Sequence, residues 1–253
     1  MTEQRNDIIG DFRLALGFLS RLPAGGGALP PRRLGRAART FPAVGILLGG
    51  LGGLVYAAVA WLGLPNLPAA LVAVAALAWL SRGLHLDGLA DFADGLAGDT
   101  PERRLEIMRD SRTGAFGVVA VVLAIGLWAS ALAALATPVA VAHGLIAAAA
   151  VSRAGIVALM WWLPSAREEG LGHHAGRPRA NDLVTAAGIA FAATFLLLPW
   201  QAGLASLALA AVAVATVGRI ARGKLGGVTG DVLGAGQQAG EIGFLLALVA
   251  WLA

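Results

Sequence analysis

The feature that most constrains this chain is a pair of long stretches without a single charge. Phe41 to Leu64 and Ala115 to Pro138 each exceed twenty residues, and a helix rising about 1.5 Å per residue needs about twenty to cross about 30 Å of hydrocarbon. Soluble cores seldom need such lengths. Only 13% of the 253 residues are charged and 58% are hydrophobic, whereas an ordinary soluble domain is about 25% charged. Alanine and glycine inflate that apolar count, so the length of the runs carries the argument. Seven spans are expected: 41–64, 67–84, 115–137, 139–163, 183–199, 201–218 and a short 241–253. The expected fold is therefore all-α, a polytopic transmembrane helical bundle forming one domain over 1–253, with no long repeat and no separate soluble domain. The first forty residues lack the apolar core of a signal peptide, so the N-terminus is expected to be retained.

Orientation follows from the basic residues. Segments 1–40, 82–114, 164–182 and 219–241 fall on one side of such a bundle and hold 18 of the 19 Lys and Arg, while the opposite turns hold none. The positive-inside rule places these charged loops in the cytoplasm of a multi-pass protein of the bacterial inner membrane. Ahead of the first span, Ile8, Phe12, Leu16 and Leu19 recur at helical spacing among Arg5, Arg13 and Arg21, the pattern of an interfacial amphipathic helix. Pro23 to Arg39 follows, with Arg32, Arg33, Arg36 and Arg39; anionic lipid is one partner for such a segment, substrate phosphate another. Gly45, Gly49 and Gly53 repeat at the small-xxx-small spacing that lets a second helix approach closely.

Chemistry is concentrated in Gly83 to Gly95, GLHLDGLADFADG, within the 82–114 loop. Asp87, Asp91 and Asp94 stand at i, i+4 and i+7, which on a helix confines them to an arc of about 60°. Three unpaired carboxylates on one face repel one another and resist desolvation, and a divalent cation relieves both costs. With no cysteine in the chain, oxygen donors of this kind suit magnesium or manganese. Gly88 and Gly95 either admit a ligand to the backbone or loosen a helix end. His85 lies on the other side of that helix, as a substrate contact or an interfacial residue.

Other candidates are dispersed. Glu102, Glu106 and Asp110 alternate with Arg103, Arg104, Arg109 and Arg112, a salt-bridged solvated helix at its start and, in Arg109-Asp110-Ser111-Arg112-Thr113-Gly114, a place to hold phosphates. Arg153 interrupts the fourth span, where a charge needs a polar cavity, a partner carboxylate or a route to the interface. Gly226-Gly227-Val228-Thr229-Gly230-Asp231 is either an ordinary loop or a turn presenting amides to an anion, with Asp231 as another metal ligand. Glu241 is expected to open the final span. His173 and His174 receive no role.

Taken in order, these segments resemble the cobalamin synthase family, also called adenosylcobinamide-GDP ribazoletransferase. The resemblance runs through Phe18-Leu19-Ser20-Arg21-Leu22-Pro23, Phe41-Pro42, Gly83 to Gly95, Arg104 to Gly117, Ser152-Arg153 and Gly226 to Asp231. Phe92 and Ala115 depart from it where smaller or hydroxylated residues are expected; neither is a proposed ligand. The resemblance implies transfer of alpha-ribazole, or its 5'-phosphate, to adenosylcobinamide-GDP with release of GMP, and a requirement for magnesium. Asp87, Asp91 and Asp94, with Asp231, are then the metal ligands, one carboxylate being available as base. His85, Arg109, Asp110, Arg112, Arg153 and Thr229 are the substrate contacts. No nucleic-acid partner is expected, and a homo-oligomer is left open. Two other readings compete. The Asp87-Gly88 start is shared with CDP-alcohol phosphotransferases, although the later aspartate spacing of that pattern fails here. A cation transporter needs carboxylates spread through the spans, whereas these gather at one surface.

Overall fold

A computed structural model of the chain describes residues 7–25, 34–167 and 176–252. Arg5, Arg32, Arg33, His173 and His174 lie outside the described residues. The described chain is helical: α1 (Ile8–Leu19), α2 (Leu34–Ala37), α3 (Phe41–Trp61), α4 (Asn66–Leu80), α5 (Leu84–Gly95), α6 (Pro101–Ile107), α7 (Ala115–Ala134), α8 (Pro138–Trp162), α9 (Ala180–Leu197), α10 (Trp200–Leu225) and α11 (Gly230–Leu252). Six of these helices, counting α2 and α3 as one continuous rod, are long and apolar enough to cross a membrane; α4 and α5 reach that length and hydropathy only when taken together as one bent pair. The polytopic bundle expected from the apolar runs is therefore present.

Two spans differ from the expected boundaries, each for a local reason. The second ends at Leu80, where Arg82 (φ 58°) and Gly83 (φ 67°) adopt left-handed backbone in succession. Glycine tolerates that conformation and other residues rarely do, so the helical ladder breaks there. The chain turns by 89° into α5. The acidic stretch is thus a helix across the end of the bundle, outside the spans, and not a loop. The final span begins at Gly230 instead of 241, because Gln237, Gln238 and Glu241 are all buried within it and are linked by hydrogen bonds, as described below.

The helices α8 and α11 form the centre, their apolar stretches 78% and 72% buried, against 28% for those of α9 and α10. Thr137 caps α8 by accepting from the Ala140 amide, and Pro138 occupies its first turn, where no amide is needed. The glycine triplet of α3 works as its spacing predicts. A Cβ on Gly45 or Gly49 would lie 2.3 Å from the Ala149 carbonyl oxygen or 2.5 Å from that of Leu145, both on α8, so only hydrogen at these positions allows α3 to sit so close.

The amphipathic helix α1 is docked as well as amphipathic. Ala15, Leu16 and Leu19 are buried while Ile8 and Ile9 remain exposed. Phe18 stacks on Phe41 with ring centroids 6.0 Å apart. Buried Asp11 accepts from Arg39 Nη2 at 2.6 Å and lies 3.4 Å from Arg36 Nε. Burying a carboxylate is tolerable only with such partners, and they tie α1 to the start of α3.

Candidate functional site

The close crossing of α5 over the first turns of α11 builds the site. Gly88 and Gly234 meet there: a Cβ on Gly88 would be 3.0 Å from Asp231 Cα, and one on Gly234 would be 3.2 Å from Gly88 Cα. This contact brings Asp231 against the acidic face of α5. Gly88 thus serves helix packing, as does Gly95, whose added Cβ would lie 2.5 Å from Met108 Cγ.

Asp87, Asp91 and Asp231 gather at this crossing, near enough for their charges to interact. Burial first, then the charges of Asp87, Asp231 and Asp94, push the Asp91 carboxyl up to about 6. Asp94 has a structural task. Its two oxygens accept from the amides of Gly114 at 2.7 Å and Gly117 at 2.8 Å, capping the otherwise uncapped N-terminus of α7. Among the described residues, no three His, Cys, Asp or Glu side chains are gathered tightly enough to enclose a metal ion alone.

Arg167 is the functional candidate that sequence reasoning missed. Val228 and the segment after α8 form a short parallel bridge: Val228 donates to the Pro164 carbonyl at 2.8 Å, and Ala166 donates to Val228 at 3.0 Å. The bridge carries Arg167 to within 3.9 Å of Asp231, and Arg167 Nη2 also donates to the Leu105 carbonyl at 3.0 Å. Thr229 is buried beside Asp231 and donates to its carboxylate at 3.2 Å. The glycine-rich turn is therefore a connector that fixes one carboxylate and one guanidinium.

The remaining candidates separate into two groups. Arg109 is exposed near Arg167, close enough for their charges to interact. Arg112 pairs with Asp110 at 2.6 Å on the surface, and that pairing holds the Asp110 carboxyl at about 2. Arg103 likewise pairs with Glu106 at 2.7 Å, both exposed, as a solvated helix would.

Arg153, by contrast, lies inside the bundle. Its Nη1 donates to the Ala149 carbonyl at 3.0 Å and sits 3.4 Å from Glu241 Oε2. Ser152 Oγ donates to the same carboxylate at 3.1 Å, Gln237 Nε2 also donates to it, and Gln238 donates to Gln237 at 3.0 Å. Of the alternatives open in sequence, Arg153 thus takes the partner carboxylate. Its direct phosphate role does not fit that placement, and Glu241 sits in mid-helix instead of opening the span. His85 stands between this network and the acidic face. It is 3% exposed, and burial together with Arg153 lowers its pKa well below the ordinary range, keeping it neutral.

Beside Asp87 and Asp231 opens a chamber of about 320 Å³. Phe18 and Phe41 line it, as do Ile156 and Met160 of the last turns of α8 and Leu163 just beyond them. Arg177 stands at its margin, exposed, its Nε donating to the Trp161 carbonyl at 2.7 Å. The arrangement as a whole is a ring of carboxylates with one guanidinium, next to an apolar chamber. Such a site can position an anionic group beside a hydroxyl and take up a proton.

The chain matches the sequence profile described as Cobalamin-5-phosphate synthase over residues 11–249. It is 44% identical to an adenosylcobinamide-GDP ribazoletransferase of Bradyrhizobium diazoefficiens, with 99% of this chain and 97% of that protein aligned. Proteins of the same description from Brucella canis and Brucella suis are 41% identical over 97% of this chain and 98% of their own length. No solved structure matches.

Proposed function

The chain belongs to the cobalamin-5-phosphate synthase family, and from that membership we propose that it joins alpha-ribazole, or its 5'-phosphate, to adenosylcobinamide-GDP. The products are adenosylcobalamin, or its 5'-phosphate, and GMP. The observation that carries this reading is the near full-length match, whose segments include each residue at the α5–α11 crossing.

In the reaction a ribose hydroxyl oxygen attacks the phosphorus that bears the cobinamide. A new P–O bond forms, the bridging P–O bond breaks, the electron pair leaves with GMP, and the hydroxyl proton passes to a carboxylate. Catalysis of this type is mostly positioning and charge neutralisation. The carboxylate that the metal leaves free is placed to accept that proton. Arg167, and Arg109 beyond it, are the guanidiniums nearest the carboxylates and receive phosphate oxygens in place of Arg153.

Magnesium fits this donor set. The ion binds through one or two carboxylates and completes its octahedron with waters and substrate phosphates, so no closed protein cage is required. Asp91 with one of Asp87 and Asp231 would hold it, the third carboxylate staying free, and it would supply charge neutralisation on the diphosphate. Asp94 contributes by fixing α5 to α7. The charged end of the bundle, by its basic residues, is assigned to the cytoplasmic side of the inner membrane.

The test is turnover of purified protein with adenosylcobinamide-GDP and either ribazole form, with and without magnesium. Cobamide and GMP in equal amounts, dependent on magnesium, are expected. GMP release without a new cobamide would refute the assignment.

A further inference from the structure

We propose that the apolar chamber beside Asp87 and Asp231 seats the planar aromatic base of the ribazole substrate, and that Met160 sets which bases it admits; the assignment rests on the reaction proposed above. At about 320 Å³ the chamber lies at the low end of the roughly 300–1,000 Å³ of small-molecule sites. That volume takes a fused bicyclic base with part of its sugar. A corrin macrocycle with its amide side chains is far too large, so the cobinamide moiety remains outside.

The chemistry of the walls selects among the smaller groups. Phe41, Ile156, Leu163 and Met160 are each no more than 7% exposed, and none carries a hydrogen-bonding side-chain group other than a thioether. Guanine has several donors and acceptors on its edges, and burying them against hydrocarbon leaves them without partners. A dimethylbenzimidazole attached to ribose has one acceptor nitrogen, no donor and two methyl groups, which such walls match. Phe18, partly exposed and stacked on fully buried Phe41, supplies an aromatic side of the kind flat rings pack against.

The lining also holds polar side chains, His85, Ser165 and Arg177 together with Asp87 and Asp231, the last two being the carboxylates of the α5–α11 crossing. A base held among the hydrocarbon walls delivers its ribose there, beside the carboxylates that receive the hydroxyl proton. Met160 lies in the last turns of α8, and its flexible thioether adapts to the ring it meets.

The experiment compares wild type with Met160→Trp, which narrows the chamber, and Met160→Ala, which widens it. Both substrates are varied in steady-state assays. One methylene-sized misfit in an apolar pocket shifts discrimination by roughly 10–200-fold. Met160→Trp is therefore expected to raise KM for alpha-ribazole by that order while KM for adenosylcobinamide-GDP stays unchanged. Met160→Ala is expected to improve use of a riboside with a bulkier naphthimidazole base relative to alpha-ribazole.

Binding is read separately, as the rise in unfolding temperature caused by alpha-ribazole alone, which Met160→Trp is expected to abolish. A rise in KM for adenosylcobinamide-GDP instead of ribazole would overturn the assignment. So would unchanged constants in a Met160→Trp protein of normal unfolding temperature. If that variant does not fold, an unaltered base preference in Met160→Ala overturns it. A wild type that forms no cobamide, yet is stabilised by alpha-ribazole in a Met160-dependent way, would sink the proposed reaction and leave the chamber assignment standing.

Discussion

Replacing Asp91 by Asn is expected to make the metal-free protein more stable while abolishing turnover. Burial and the neighbouring carboxylates raise this carboxyl from 3.8 to about 6. The folded state therefore holds a proton that the unfolded chain has already released between those values. The penalty is absent below pH 4, grows as pH rises to about 6, and is complete at pH 7.5. Two pK units correspond to about 3 kcal/mol, but Asp91 is only partly buried, and solvent screening reduces this to about 1 kcal/mol. For a chain of this size that is an increase of about 2–4 °C in unfolding temperature. The assay is thermal unfolding of detergent-solubilised wild type and Asp91→Asn in EDTA, at pH 7.5 and pH 4. The Asn variant should be the more stable at pH 7.5, and the gap should close at pH 4. Magnesium should then stabilise the wild type and leave the variant unmoved. An Asn variant equal to or less stable than wild type at pH 7.5, or a gap independent of pH, would refute the reasoning.

Other perturbations test the remaining parts. Asp94→Ala removes both acceptors that cap α7 and leaves two amides without partners, so it should destabilise by about 1–3 kcal/mol per group, read as a lower unfolding temperature with or without magnesium. Glu241→Ala strands the buried guanidinium of Arg153 and should cost about 3–5 kcal/mol, whereas the double replacement Arg153→Met with Glu241→Leu should recover most of that loss. Gly88→Val forces α5 away from α11; a misplacement of about 1 Å can lower turnover by about 100-fold, measurable in membranes that still contain the inserted protein. Arg177→Gln should weaken use of the 5'-phosphorylated ribazole more than that of the free riboside, as a ratio of the two kcat/KM values.

Much of the architecture is legible in the sequence because lipid imposes a length on uninterrupted apolar runs. The spans around α3, α7 and α8 fall within a few residues of their expected bounds, and the Gly45, Gly49, Gly53 spacing leads correctly to a close helix contact. Hydropathy has no means of seeing the break at Arg82-Gly83, which depends on two backbone angles. It also misses the first turns of α11, because Gln237, Gln238 and Glu241 look like loop residues until Ser152 and Arg153 are set beside them. Arg167 escaped for a different reason. Its position depends on the bridge between Pro164-Ser165-Ala166 and Val228, a long-range pairing with no local signature. The acidic periodicity of α5 was readable, yet which carboxylate caps a helix was not, since Gly114 and Gly117 lie twenty or more residues further along.

The polar residues inside α11 bear on how the protein is made. Two glutamines and a glutamate hold the 18-residue apolar stretch of this helix to a mean hydropathy of 1.3, the lowest among the six long spans, and such side chains partition poorly into lipid by themselves. Their partners, Ser152 and Arg153, belong to α8, which leaves the ribosome first. A translocon releasing α11 sideways thus offers it a surface already carrying the matching serine and guanidinium. The expected order of assembly is therefore α8 first, with α11 docking against it. With Glu241 retained, a chain whose α8 lacks Arg153 is expected to insert α11 poorly, read as less full-length protein in the membrane.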